Sequence, residues 1–256
     1  DIGMVRAQGG KIINLTNSGY TSGSPRWVLD GNAILFITER YGMRAHASWG
    51  SLNDVMLVFM NQDAYDKFRL SKEDYELQKE LEKEQKNTTE TKKNDKKKGD
   101  NKEKSEEKKE EKVKDIVVEL NNIEDRIVRL TPNSSDLGSA IITKDGETLY
   151  YLSAFEGGYD LWKMNLRKKD TKLLHKMDAG WANMEMDKDG KNLFLLGSNT
   201  MQKMGTDSES LKPISYQAHV KMDLAAERDY MFNHVYKQEQ KRFYNLNMHG
   251  IDWDAM

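Results

Sequence analysis

Apolar residues along the chain form short runs that meet an Asp-Gly dipeptide. Three stretches share the order apolar run, Asp-Gly, apolar run: Ser24–Thr38, Ser139–Ser153 and Trp181–Gly197. Asp-Gly suits a two-residue hairpin turn, because glycine accepts a positive φ and aspartate tolerates one. The second run is rich in β-branched, aromatic and aliphatic residues, which favour strands. The pattern therefore predicts three β-hairpins, each turned at Asp-Gly.

Further strand-like segments flank each hairpin. Lys11–Thr16, Asp125–Thr131 and Thr171–Leu174 precede the three hairpins, and Tyr159–Asn165 follows the second with period-two alternation. The repeating unit is strand, Asp-Gly turn, strand, loop, strand, short turn, strand. This predicts antiparallel units of four strands.

The spacing of the glycines indicates how these units are arranged. Gly146 and Gly190 are 44 positions apart, which is typical of four-stranded propeller blades. Gly31 and Gly146 are 115 positions apart because a charged insertion lies between them. The predicted fold class is mainly β, a partial β-propeller of four-stranded antiparallel blades with a long charged insertion and a C-terminal α-helix.

The insertion covers residues 71–114. Its part from Lys79 to Lys114 contains 14 lysines and 11 acidic residues, with Leu81 and Val113 as the aliphatic residues. Helix formers and Glu/Lys pairs predict a helix at its start, and the composition predicts disorder after it. The mixed signs argue against a nucleic-acid-binding arm. A role in binding a partner or a membrane surface is a further alternative for this segment.

The end of the chain has helical rather than strand periodicity. From Asp223, which can serve as N-cap, apolar residues recur at three- and four-residue steps. This predicts an amphipathic helix that leaves the propeller. The expected domains are blades in residues 1–70 and 115–218, the insertion in 71–114, and a helical segment entering a core domain in 219–256.

Composition excludes several kinds of chemistry. The chain of 256 residues has a net charge of −2, which gives no argument for nucleic acid or an anionic membrane. The absence of cysteine excludes a disulfide framework, a thiolate zinc site and a cysteine nucleophile. The sequence contains no run of about 18 apolar residues, so no membrane span is predicted. Because the sequence begins at Asp1 and stops at Met256, we expect a fragment of a longer protein.

The segment Met186–Asn199 first suggests a calcium loop. With Gly190 at the sixth position, Glu185, Asp187 and Asp189 occupy positions one, three and five of an EF-hand. Position twelve is Leu196, where that loop needs a bidentate glutamate. The apolar run that follows predicts a strand, so Asp189, like Asp30 and Asp145, is interpreted as a turn residue.

For the other candidate residues, a structural role is the first interpretation and a functional role is the alternative. The five histidines, His46, His175, His219, His234 and His249, lack metal-ligand spacing. His249 near Asp252 could form a base–carboxylate pair, with helix-end packing as the alternative. Trp27, Trp162 and Trp181 are predicted to pack between blades, with sugar or peptide binding as the alternative. Asn14, Asn87 and Asn133 match the N-glycosylation pattern. No catalytic, cofactor-binding or metal-binding residue is assigned.

The repeats resemble the blades of TolB-like and tricorn-type propellers, with Ser24-Pro25 ahead of a strand and Leu29-Asp30-Gly31 departing from the usual Pro-Asp-Gly. Glu227–Met256 resembles the beginning of the helical core domain of tricorn-like serine peptidases. Glu39–Leu70 also resembles the bacterial branch of that family.

This resemblance implies a parent enzyme that hydrolyses peptides with a serine nucleophile, a histidine base and supporting Ser and Glu residues. In such enzymes the catalytic residues follow the segment that ends here at Met256, so none maps onto this sequence. The chain would hold the last blades of a second propeller and the start of the core, acting as substrate filter or product channel.

The implied partners are peptides or unfolded polypeptides and the remaining domains of the parent protein, with a homo-oligomer possible and no cofactor. The resemblance points to the bacterial cell envelope (periplasm), with the cytoplasm as the alternative. A non-enzymatic TolB-like propeller that binds partner proteins is the alternative function.

Overall fold

The computed structural model describes residues 1–46, 49–81, 84, 115–198 and 200–256. Asn87 and the part of the insertion predicted to be disordered lie outside the described residues. The chain forms two compact units, Asp1–Ile214 and Ser215–Met256. Within the described part, no helix has the length and apolarity needed to span a membrane.

Three four-stranded antiparallel sheets, each made of consecutive strands, form the first unit and confirm the predicted blades. A two-stranded sheet of β1 (Gly3–Met4) and β2 (Ile13–Asn14) precedes them. Blade 1 consists of β3 (Ser22–Val28), β4 (Ala33–Thr38), β5 (Asp54–Phe59) and β6 (Ile127–Arg129). Blade 2 consists of β7 (Asp136–Ile142), β8 (Thr148–Ala154), β9 (Tyr159–Asn165) and β10 (Asp170–Ala179). Blade 3 consists of β11 (Ala182–Met186), β12 (Asn192–Gly197), β13 (Thr200–Gly205) and β14 (Leu211–Pro213).

The Asp-Gly dipeptides turn the chain between the first two strands of every blade, each within a four-residue loop: 29–32, 144–147 and 188–191. In blade 1, Asn32 N–H donates to Leu29 O at 3.0 Å, so Asp30 and Gly31 are the central pair, both with positive φ (53° and 84°). Leu29 also has a positive φ of 53°, and the last paired residues are Val28 and Ala33, so the loop has four residues and the predicted two-residue turn is wrong here.

The two-residue prediction is wrong for the other two blades as well. Gly146 N–H donates to Thr143 O at 2.9 Å and Gly190 N–H to Asp187 O at 3.0 Å, so each glycine is the fourth residue of its turn. There the positive φ is confined to the glycine, at 72° and 75°. Aspartate side chains stabilise these two loops, because Asp145 accepts from Glu147 N–H and Asp187 accepts from Lys191 N–H.

The strands of blades 1 and 2 are apolar on both faces, and each face enters a different core. One face of β4 and β5 packs against blade 2, while the other packs against Ile2 and Leu15 of the N-terminal segment. In blade 2, the face opposite blade 1 packs against blade 3. This two-sided burial explains the continuous apolar runs that the sequence shows.

Blade 3 buries one face only within this chain. Met184, Leu193 and Leu195 are buried against blade 2, whereas Phe194 and Leu196 on the opposite face are 38% and 44% exposed. Strict alternation of buried and exposed residues along β12 follows from this one-sided packing.

The segment that precedes the insertion and the start of the insertion pack on the blades. Helix α1 (Gln62–Arg69) starts at Asn61, whose side chain accepts from Ala64 N–H, and its Phe68 ring contacts Phe59. Residues 72–81 are helical as predicted and form α2. Lys79 of α2 pairs with Glu147 of blade 2 at 3.2 Å. Because α1 contacts blade 1 and α2 contacts blade 2, the two helices together span the seam between these blades.

The second unit contains helix α3 (Leu224–Arg242). Asp223 is the N-cap, as predicted, and its carboxylate accepts from Ala225 and Ala226 N–H at 3.1 Å each. The apolar side chains of α3 are not buried in this unit: Phe232 is 71% and Val235 60% exposed. Trp253 stacks on Tyr236, whose hydroxyl donates to Trp253 O at 2.7 Å.

Candidate functional site: the inner groove

The first strands of the three blades converge on a cavity of about 370 Å³, here called the inner groove. Its walls are the ends of β3, β7 and β11 together with the turns that follow them. Buried aliphatic side chains form its floor, among them Leu35, Ala140 and Ile142. Six ionisable residues, three of each sign, also line it: Arg26, Asp30, Lys144, Glu185, Asp187 and Lys188.

An ion pair bridges the inner groove between blades 1 and 3. The Arg26 guanidinium donates two hydrogen bonds to the Glu185 carboxylate, from Nη1 at 3.0 Å and from Nη2 at 2.7 Å. The side chains are 39% and 63% exposed, so both reach solvent. This fork-to-fork geometry is the strongest that arginine makes with a carboxylate, although solvent weakens an exposed pair.

Local irregularity in β3 places Arg26 at the groove. The register of β3 against β4 shifts between Gly23 and Arg26, where Ser24 has a φ of 53° and Pro25 has no N–H to donate. Such a bulge redirects the following side chain and increases the local strand twist. The Ser24-Pro25 dipeptide, on which the blade resemblance rests, therefore directs the Arg26 side chain toward the groove.

The other ionisable groups of the groove differ in their hydrogen-bond partners. The Lys144 ammonium donates to Lys188 O, which joins the turns of blades 2 and 3. Asp187 accepts from the Asn192 side-chain amide and from backbone N–H groups, and these hydrogen bonds lower the pKa of its carboxyl group. The groove thus presents Arg26, Lys144 and Lys188 above an apolar floor.

The tryptophan prediction is partly wrong. Trp162 packs against the core between blades 1 and 2 and meets Phe155 edge-on at 5.0 Å. Trp27 and Trp181 are instead 50% and 52% exposed. Trp27 borders the inner groove and pairs with Ile34, on the face of blade 1 that packs against Ile2, Leu15 and Ile123 rather than against another blade.

The histidine–carboxylate pair considered at the end of the chain does not form. The His249 ring contacts the Tyr244 hydroxyl through Nε2, while Asp252 accepts from Ala255 N–H at 3.2 Å and caps a short helical turn. His175 Nε2 lies 2.8 Å from Glu209 O. Among the described residues, no three His, Asp or Glu side chains converge as a metal site.

The segment that first suggested a calcium loop has the conformation predicted for a hairpin. Asp189 and Gly190 lie in the turn, and Leu196 lies in β12 rather than at a ligand position. Asp187 directs its carboxylate at backbone N–H groups of the same turn. Asp187 thus stabilises the turn, whereas Glu185 pairs with Arg26 of blade 1.

Sequence reasoning did not find the Arg26–Glu185 pair. The two residues are 159 positions apart, and no motif links them. The available signals were local: the Ser-Pro bulge before Arg26, and Glu185 in a strand ahead of an Asp-Gly turn. Their meeting depends on the arrangement of the blades, which one sequence does not encode in any short pattern.

Comparisons with known proteins agree with this architecture. Residues 224–256 match the family described as the tricorn protease C1 domain. The structure of tricorn protease superposes with a TM-score of 0.61 at 9% identity, covering 95% of this chain and 22% of that one. This match shows a shared fold, and the chain spans about a fifth of the tricorn protease.

Two further propeller structures match at lower similarity. TolB from Acinetobacter baumannii gives a TM-score of 0.49 at 10% identity, covering 84% of this chain and 37% of that one. The propeller domain of the Trilobed protease from Pyrococcus furiosus gives 0.39 at 11% identity, covering 75% and 41%. A comparison with curated proteins found no match. The chain therefore has a propeller-type fold of three four-stranded blades, similar to part of the tricorn protease structure, followed by a segment that matches the tricorn protease C1 domain.

Proposed function

We propose that this chain is the non-catalytic propeller portion of a tricorn-like serine peptidase that degrades peptides. In this proposal the blades act as a substrate gate or channel and as a scaffold for the core domain. Residues 219–256 are the start of that core, and the nucleophile and base are supplied by the remaining domains of the parent protein. The partners are peptides or unfolded polypeptides.

One observation carries the proposal: a propeller blade and a C1-type segment are consecutive in one chain. Strand β14 ends at Pro213 and helix α3 begins at Leu224, where the match to the tricorn protease C1 domain also begins. This order supports an enzyme in which the propeller precedes the core, in preference to a free-standing scaffold.

The inner groove supports a role in handling peptides. Its volume of about 370 Å³ lies within the range of small-ligand pockets, and it combines an apolar floor with a few polar groups. Charged groups of both signs suit a peptide, which carries an ammonium at one end and a carboxylate at the other. These features support passage or transient binding in the propeller.

The test compares the full-length parent protein, the chain of residues 1–256, and a parent variant that lacks residues 1–214. Each is assayed with a short fluorogenic peptide and with a long unfolded polypeptide such as casein. We expect peptidase activity in the parent, none in residues 1–256, and altered discrimination by substrate length in the deletion variant. A parent without peptidase activity contradicts the proposal and favours the TolB-like scaffold.

A further inference from the structure

We propose that the cleft between α1 and α2 is a docking site for a basic amphipathic helix of a partner protein. The α1–α2 cleft has a volume of about 570 Å³, and among the described residues only those of the two helices and their link line it. It shares no lining residue with the inner groove. The inference therefore goes beyond the proposed function and does not depend on it.

The two helices present similar stripes of side chains to the α1–α2 cleft. Three aspartates and three leucines form these stripes: Asp63, Asp66 and Leu70 from α1 and its C-cap, and Asp74, Leu77 and Leu81 from α2. In each helix the spacing is i, i+3 and i+7, which places the side chains on one face. Each stripe is roughly 10 Å long at about 1.5 Å per residue, so it matches about two turns of a docked helix.

The opposite faces of the helices are fixed to the blades, so the cleft is preformed. Arg167, in the turn between β9 and β10, donates to Phe68 O at 2.5 Å and to Leu70 O at 3.2 Å at the end of α1. Its guanidinium carbon also lies 3.9 Å from the centre of the Tyr75 ring in α2. One side chain thus holds the end of α1 against the start of α2. A rigid cleft lowers the entropic cost of binding.

The leucines of the cleft are available to a partner. Leu77 is 57% and Leu81 49% exposed, although both lie in a helix that packs on blade 2 through its other face. Grooves that receive a helix bind apolar side chains of that helix at i, i+3, i+4 and i+7. The leucine rows therefore suit the apolar face of an amphipathic helix.

The charge of the cleft selects the kind of helix. Its three carboxylates face a single ammonium, that of Lys67. Asp66 accepts from the Gln62 amide and Asp74 from the Ser71 hydroxyl, at 2.8 Å each, and these neutral donors leave the negative charges in place. Lysine or arginine beside the apolar face of the partner complements this surface. Nucleic acid and anionic lipid surfaces are repelled by it, so protein is the favoured class of partner.

The experiment titrates the chain of residues 1–256 into labelled helical peptides of about 15 residues, with fluorescence anisotropy as the readout. The basic peptide carries leucine at i, i+3, i+4 and i+7 with lysine on both flanks, and the acidic peptide has glutamate in place of each lysine. We expect the basic peptide to bind at least about tenfold more tightly than the acidic one. A third peptide keeps the lysines but moves the leucines off the stripe, and it should bind about tenfold more weakly than the basic peptide.

Variants locate the binding site. Asp66→Lys should weaken binding of the basic peptide by about fivefold or more, whereas Glu73→Lys, the same charge reversal on α2 outside the cleft, should change it by less than about twofold. Leu77→Gln should weaken it by about fivefold or more, and Leu196→Gln, at an exposed leucine of blade 3, should leave it unchanged. Circular dichroism melts establish that each variant is folded.

Three results would overturn the inference at the level of the wild type or its variants. These are equal binding of the basic and acidic peptides, an Asp66→Lys effect no larger than that of Glu73→Lys, and a Leu77→Gln effect no larger than that of Leu196→Gln.

Other occupants of the cleft are also distinguishable. Tighter binding of the basic peptide by a variant that lacks residues 85–114 would assign the cleft to the lysine-rich insertion of this chain and overturn the inference. Self-association of the wild type in analytical ultracentrifugation that is lost in Leu77→Gln would assign the cleft to a second copy, with the same consequence. A monomeric wild type and an unchanged affinity in the deletion variant support the partner helix.

Discussion

Tyr150 and Tyr151 are neighbours in β8 but belong to different cores. Tyr150 packs between blades 2 and 3, and Tyr151 packs between blades 1 and 2. Both side chains are almost fully buried, at 2% and 1% exposed. Because successive strand residues point to opposite faces, one dipeptide connects three blades. The stability of this chain therefore depends on seams between blades more than on any single sheet.

Truncating a side chain that is buried in a seam between blades should destabilise the protein far more than truncating one on the open face of blade 3. Leu152 is fully buried, whereas Leu196 is 44% exposed. We expect Leu152→Ala to lower the free energy of unfolding by about 2–5 kcal/mol through lost burial and a residual cavity. Leu196→Ala should change it by less than about 0.5 kcal/mol. Urea unfolding followed by circular dichroism measures both, and similar losses would contradict the one-sided packing of blade 3.

Ionisation of Tyr151 should destabilise the protein at alkaline pH. Burial raises the pKa of Tyr151 to about 12, above the ordinary value of about 10 for a tyrosine. The folded state therefore favours the neutral phenol, so this contribution is complete below pH of about 10 and is lost as the pH rises through about 12. In Tyr151→Phe we expect a weaker fall in the free energy of unfolding across this range.

Some alkaline sensitivity should remain in that variant, since burial and a hydrogen bond to Asp136 also raise the pKa of Tyr159 to about 12. Unfolding by urea at several pH values between about 9 and 12 provides the measurement. An unchanged pH dependence in Tyr151→Phe would show that Tyr151 is not the buried group that titrates there.

Glu209 should stabilise the outer seam between blades 2 and 3 in a pH-dependent way. Its carboxylate accepts from Lys163 at 2.5 Å and Lys172 at 2.8 Å, and these hydrogen bonds lower its pKa. The contribution is present above the unfolded pKa of about 4.3 and is lost as the pH falls through the folded value. We expect Glu209→Gln to cost about 0.5–1.5 kcal/mol at pH 7 and little at pH 3.

The matched control for this prediction is Glu76→Gln, which removes an exposed partner of Lys72. Its effect on the free energy of unfolding should stay within about 0.5 kcal/mol at either pH. A Glu209→Gln effect that is equally large at pH 3 would mean that packing, and not the two ion pairs, holds the seam.

Asp54 should be sensitive even to a nearly isosteric change. The side chain is fully buried and accepts from Arg129 Nε at 2.9 Å, Thr131 Oγ1 at 2.7 Å and Ser134 Oγ at 2.7 Å. Asp54→Asn replaces one acceptor oxygen by a donor that faces hydroxyl groups or the guanidinium. We expect a loss of about 1–3 kcal/mol in the free energy of unfolding, because a buried polar group then lacks its partner.

Ser134→Ala removes one donor from the same cluster and should cost less, about 0.5–1.5 kcal/mol. Thermal or urea unfolding of the two variants provides the comparison. If Asp54→Asn proves as mild as Ser134→Ala, the charge of Asp54 is not what organises the β5–β6 edge.

The first turn of α3 should depend on its N-cap. Asp223→Ala removes the acceptor for Ala225 and Ala226 N–H and should destabilise the helix start by about 0.5–2 kcal/mol. Hydrogen exchange of the amides in residues 224–230 should accelerate accordingly. Asp229→Ala, within the helix, serves as the control and should leave those amides nearly unchanged. Equal exchange in both variants would mean that other contacts fix the first turn.

Local chemistry made much of the blade architecture predictable. Asp-Gly between apolar runs signals a hairpin because turn conformation depends on a few adjacent residues. The 44-residue spacing of Gly146 and Gly190 signals blades because each repeat is one sheet. The same local logic identified Asp223 as the N-cap of α3. It failed for the length of the turns, because the loops at Gly31, Gly146 and Gly190 each have four residues.

The sequence by itself thus determined the strands, their turns and the four-stranded unit, since these follow from side-chain period and turn chemistry over a few residues. Only the tertiary structure decided which tryptophans are buried, which face of blade 3 is open, and that Arg26 meets Glu185 at the inner groove. Those features depend on how whole sheets stand beside one another. Contacts between residues more than a hundred positions apart leave no periodic trace in a single chain.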